Sequence, residues 1–192
     1  MRNLLTLFFI CSVQILSAQT LNITFKKIAS CYAASRLIDT TAFGGFGGSH
    51  NYPHYIEQDI PFTPQKISLR LERCNKEGTY LLYLLNGSDS TLTLRAQDSR
   101  LSILAEAWVD DRWQEIEYFP RTFCGNSYHK VFLPTLQYWT FIIQGYQGNI
   151  STRIRYRLQM PDSGFLYSNE VPAGINRDQL TITEEEYRSG KR

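Results

Sequence analysis

The local string with the most chemical potential is Cys124-Gly125-Asn126-Ser127-Tyr128-His129. A thiol beside an imidazole can act as a nucleophile, because the ring lowers the thiol pKa and favours the thiolate. No third residue to orient the imidazole is identifiable, and the plainer reading is a half-cystine in a tight Gly-Asn turn. His50, His54 and His129 are the weak candidate metal ligands, since imidazole suits zinc and copper. The Asn51-Tyr52-Pro53 stretch between the first two disfavours the helix that would bring them onto one face. No metal, no cofactor and no catalytic residue is therefore expected.

Arg153, Arg155 and Arg157 alternate with Ile154, Tyr156 and Leu158, so a strand would present all three guanidinium groups on one face. They form a candidate anion-binding stripe, or else pair with acidic neighbours across the sheet, for which Glu115 and Glu117 are the candidates. The same two glutamates make a poor glycosidase pair, because nothing evident would drive their two pKa values apart. Trp113, Trp139 and Tyr146 offer flat rings for stacking on sugars, against the alternative of filling a core. Gly44-Gly45-Phe46-Gly47-Gly48 has a phosphate-cradle composition but lacks the Lys-Ser/Thr end of a P-loop. Three sequons begin at Asn22, Asn86 and Asn149, the last two in expected turns.

The elements that must position these residues read as strands. From Lys66 onward, short apolar runs alternate with turn residues at the spacing of an all-β architecture. Ile67 to Arg73 alternates apolar and polar residues, and Thr79 to Leu85 is nearly all apolar, as in a central strand. Asn86-Gly87-Ser88-Asp89 is the strongest hairpin signal, and Asp110-Asp111 a second tight turn. Further strands follow at Thr91–Arg95, Leu101–Val109, Trp113–Phe119, Tyr128–Leu133, Tyr138–Gln144 and Ile150–Met160. The expected fold is an antiparallel β-sandwich, Ig/fibronectin-like, of eight or nine strands over residues 66–183. Residues 19–65 read as a loop-rich arm lying on it, with a strand at Leu21–Phe25 and a short helix at Tyr32–Ile38. Residues 184–192 read as a polar tail.

Length and composition bound the function. A chain of 192 residues suits one domain, and 20 Lys+Arg against 18 Asp+Glu give little electrostatic reason to expect nucleic acid. Residues 1–18 carry the charge, the short apolar run and the small residues of a secretory signal peptide cut after Ala18. The apolar run is too short for a transmembrane span. Export places Cys31, Cys74 and Cys124 in an oxidising compartment, where they allow one disulfide in three possible pairings. Alternating strand direction puts Cys74 and Cys124 at one end of the sandwich, so Cys74–Cys124 is the candidate disulfide.

The runs Trp113-Gln114-Glu115-Ile116-Glu117-Tyr118, Cys124-Gly125-Asn126-Ser127-Tyr128-His129, Tyr138-Trp139, Thr152-Arg153-Ile154-Arg155 and Tyr167-Ser168-Asn169-Glu170 resemble those of uncharacterised secreted single-domain β-sandwich proteins of Gram-negative bacteria. The resemblance covers about half of the chain. It implies periplasmic or extracellular residence and carries no assigned activity or site residue. The expected function is a non-enzymatic binding or structural role at the cell envelope, toward a protein or a glycan. The alternatives are a carbohydrate-binding module using surface aromatics and a metal- or thiol-dependent hydrolase.

Overall fold

The computed structural model describes residues 26–45, 48–57, 60–75, 78–120 and 124–181. The expected signal peptide, the Leu21–Phe25 strand, the Asn22 sequon and the polar tail lie outside the described residues. The described residues form fourteen strands: β1 Lys27–Ile28, β2 His54–Tyr55, β3 Ile67–Arg73, β4 Thr79–Asn86, β5 Leu92–Gln97, β6 Arg100–Leu101, β7 Ile103–Val109, β8 Arg112–Glu115, β9 Glu117–Tyr118, β10 Tyr128–Leu133, β11 Gln137–Gln144, β12 Ile150–Gln159, β13 Phe165–Tyr167 and β14 Val171–Ile175. Nine of them have four or more residues.

The strands form a β-sandwich. One layer has the order β2-β11-β4-β3. The other joins β10-β5-β6 to the group in which β12 pairs with β13, β14 and β7, and β7 with β8. Only Ser102 separates β6 from β7, and the Gln159 N–H bonds its carbonyl at 3.0 Å, so β12 follows this strand across the break. Period-two patterning decides which face each strand turns inward. Leu69 and Leu71, Leu82 and Leu84, and Trp139, Phe141 and Ile143 come from the first layer. Leu94, Ile103, Ala105, Val131, Ile154, Tyr156 and Leu158 meet them from the second, and together they form the core. No helix among the described residues is long and apolar enough to cross a membrane.

Two sequence expectations change. Tyr32–Ile38 forms no helix: Tyr32 makes an isolated bridge to Arg100, and bends follow. The Ala33 N–H bonds the Ser99 carbonyl, and Ala33 is fully buried, so tertiary pairing overrides the local helical composition. Asn86-Gly87 is no hairpin either. β4 and β5 lie in different layers, and the chain crosses between them here. Gly87 serves close approach rather than positive φ: a Cβ on it would stand 2.5 Å from the Thr63 carbonyl oxygen. Asn86 is fully buried, and its amide donates at 2.8 Å to the carbonyls of both Ser90 and Leu133. Its Oδ1 accepts from the Ser88 N–H and hydroxyl. An amide so enclosed cannot carry a glycan in the folded protein, whereas Asn149 remains exposed.

Candidate functional site

Strand alternation on β12 turns Ile154, Tyr156 and Leu158 into the core and the three arginines outward. Register then decides their neighbours. Arg155 stands opposite Glu106 of β7, and Glu106 in turn stands opposite Glu115 of β8. Two carboxylates facing each other repel, and the arginines compensate. Arg155 Nε lies 2.9 Å from Glu106 Oε2, and Arg157 bridges Glu106 at 2.9 Å and Glu115 at 2.6 Å. Arg153 pairs with Glu170 at 3.1 Å. Each arginine of the expected anion stripe thus already has a carboxylate beside it.

Aromatic rings fill the spaces between these charges. The Arg155 guanidinium lies between two rings, 4.1 Å from the Trp113 centroid and 3.9 Å from that of Tyr167. Arg153 lies 5.0 Å from the Trp108 ring and Arg157 4.5 Å from that of Phe165. Trp108 and Trp113 meet edge to face across β7 and β8, with centroids 5.5 Å apart. The outer face of β8-β7-β12-β13 is therefore a ladder of alternating guanidinium groups and rings, its charges balanced. Phe165 and Tyr167 are 44% and 41% exposed, so the β13 end of the ladder is open to a ligand.

Other candidate residues lie elsewhere. Trp139 is fully buried and donates its indole N–H to the Ala34 carbonyl at 2.9 Å. Tyr146 is also interior, and its hydroxyl donates to Glu117 at 2.5 Å. Only Trp113 of the three expected sugar-stacking rings reaches the surface face, because the inward parity of β11 places Trp139 in the core. Glu117 does not share the face of Glu115. Ile116 interrupts the pairing between them, and Glu117 turns inward to accept the Ala105 N–H at 3.1 Å and meet Lys27 at 3.1 Å. This break also opens the place where β1 adds to β9 in parallel. Burial, with the Glu117 carboxylate as the second cause, pushes the Cys31 thiol and the Tyr146 and Tyr156 phenols well above their ordinary ranges.

The three histidines do not form a metal-holding group. His54 pairs with Tyr138 in one layer, and His129 with Ala96 in the other. Among the described residues, no group of three His, Cys, Asp or Glu side chains is placed to hold a metal. His129 is buried, and its desolvation holds the imidazole pKa below the ordinary value. It lines a pocket of about 280 Å³ together with Asp39, Ser49, Tyr52 and Lys130. Asp39 is already committed: Oδ1 accepts the Thr41 hydroxyl and N–H, and Oδ2 accepts the Lys130 N–H at 2.8 Å. Those bonds, the Thr41 hydroxyl foremost, hold its carboxyl below the ordinary range. Gly45, at φ +81°, lets the backbone lie against Ser127 and His129, which explains part of the glycine run without a phosphate.

Cys74 and Cys124 are not joined by a disulfide, nor is Cys31 joined to either. Cys74 follows the edge strand β3 of the first layer, and Cys124 leads into β10 of the second. Strand direction fixes only the end of the sandwich each occupies. Lateral order fixes their separation, and a disulfide requires Cα atoms within about 7 Å. No family model, no curated protein and no solved structure matches this chain.

Proposed function

We propose that this protein is an exported, non-enzymatic β-sandwich that binds a protein partner at the cell envelope through the outer face of β8-β7-β12-β13. One observation carries the reading: Arg155 lies between Trp113 and Tyr167 on a face whose guanidinium groups are matched by Glu106, Glu115 and Glu170. Tryptophan, tyrosine and arginine are the residues that dominate protein–protein binding energy. A free polyanion would have to displace carboxylates already in place, which disfavours the anion stripe. The residues with catalytic types support the same reading, because Asp39 and Glu117 spend their oxygens on backbone amides and internal partners. Export rests on the N-terminal sequence pattern and the resemblance to secreted proteins.

The glycan reading is weaker in one specific respect. Phe165 and Tyr167, the open rings at the β13 end of the ladder, are tilted by 44° and give no flat platform. The test places a photo-cross-linking phenylalanine analogue at Phe165 and, as a control, at Ile142, which is exposed on the other layer. In cells, discrete protein adducts are expected from position 165 only, and Arg155→Ala should reduce them. Equal labelling from both positions, or none from 165, would sink the proposal. A glycan array positive for the wild type and blank for Tyr167→Ser would favour the glycan reading instead.

A further inference from the structure

β3 is the outer strand of its layer, and its hydrogen bonding sorts its residues into two sets. The Cys74 N–H bonds the Thr79 carbonyl, and the Gly87 N–H bonds the Lys66 carbonyl, so the even-numbered positions face β4. The odd-numbered ones, Ile67, Leu69, Leu71 and Arg73, therefore direct their N–H and C=O groups outward. At Leu71 both are taken by one side chain. Asn169 Oδ1 accepts the Leu71 N–H at 2.8 Å, and its Nδ2 donates to the Leu71 carbonyl at 3.0 Å. A primary amide thus occupies the place of a neighbouring strand. Two residues earlier, the outward N–H and C=O of Leu69 have no hydrogen bond among the described residues. They face an open groove of about 570 Å³, bounded by Asn169 at one end and Pro61, Phe62 and Thr63 at the side.

That wall is built in advance. The Gln65 N–H bonds the Gly87 carbonyl at 2.7 Å, and Arg70 Nη1 donates to the Pro61 carbonyl at 2.8 Å. Exposed edges invite pairing, and this one is guarded on its flank by the Arg70–Glu72 ion pair and plugged at Leu71, yet left open at Leu69.

The geometry points to the groove as a β-augmentation site for one extended segment of a partner protein, added beside β3 at Ile67–Leu69. The occupant follows from the walls. A second copy pairing β3 to β3 would bring its own Pro61–Thr63 wall and Asn169 into the same space, whereas a single strand of about four or five residues fits beside the edge. Its backbone supplies the groups that Leu69 lacks, as the Asn169 amide does for Leu71. This surface is separate from the guanidinium–ring ladder and stands or falls independently of it.

The test uses amide NMR of the purified protein with two synthetic peptides. The first is acetyl-Lys-Thr-Val-Thr-Val-Thr-Lys-amide, and the second is identical but N-methylated on both valines and all three threonines. The first should shift the Leu69 amide and slow its hydrogen exchange. The second, stripped of donors along both edges, should bind about tenfold more weakly or not at all. Asn169→Ala should extend the response to the Leu71 amide. No shift at Leu69 with either peptide overturns the assignment, as does an equal response to both. Protection of Leu69 that grows with protein concentration alone would also overturn it, in favour of self-pairing.

Discussion

Replacing Asn86 by alanine removes four hydrogen bonds made by a side chain that is itself fully buried. The carbonyls of Ser90 and Leu133 lose their common donor just where the chain crosses between layers. The expected loss is about 2–4 kcal/mol, read as a lowered urea midpoint with little change in slope. A loss no larger than that of Asn149→Ala, at an exposed turn, would show that the buried amide is not what holds this corner. Sequence could not reveal this role. Asn-Gly is read as a hairpin because it tolerates positive φ, but the same pair equally supplies a bidentate amide and a residue without a Cβ. Glu117 was hidden for a related reason. Alternation from Glu115 predicts an outward side chain, and only the interruption at Ile116 reveals the inward one.

At the scale of elements, the strands were legible wherever alternation or a long apolar run persisted, as in β3, β4 and β12. Partition between layers was not, since parity records strand direction and says nothing of lateral neighbours. That gap misplaced the expected disulfide while leaving the fold class right. The guanidinium stripe was legible as a stripe, and Glu115 as its partner, but Glu106 was not: it sits in the apolar run of β7, where a charge gives no periodic signal. Turns offer a direct check on the backbone. Asp110 and Asp111, between β7 and β8, both have positive φ, at 52° and 57°. A two-residue primed turn prefers Asn-Gly, and aspartate pays a steric cost in that region. The double change Asp110→Asn with Asp111→Gly should raise stability by roughly 0.5–1 kcal/mol. A lower melting temperature for that variant would mean that the aspartates make contacts worth more than the relieved strain.

For the whole molecule, near-neutral net charge conceals where the titratable groups sit. Asp39 and His129 lie around the pocket beside β10, while Cys31, Tyr146 and Tyr156 gather about Glu117 and Lys27 inside the sandwich. Their shifts make stability fall at both ends of the pH range. On the acid side, burial lowers the His129 pKa, so the unfolded chain takes up that proton first, from about pH 6.5 downward. Asp39, also lowered, adds its share as pH falls below about 4. On the alkaline side the shifts are upward, so the unfolded chain releases its protons first. Stability is full below the ordinary thiol range, about pH 8.5, and declines above it, more steeply once the phenols join at about pH 10. Cys31→Ala separates the contributions. It removes the earliest alkaline group while leaving Tyr146 and Tyr156 in place, so the urea midpoint should stay level between about pH 8 and 9.5, where the wild type already declines. His129→Gln should flatten the acid limb between about pH 6.5 and 4, leaving the share of Asp39 below it and the alkaline limb unchanged. If the Cys31→Ala curve instead ran parallel to the wild type throughout the alkaline range, the decline would belong to the tyrosines. The enclosed thiol would then have no part in it.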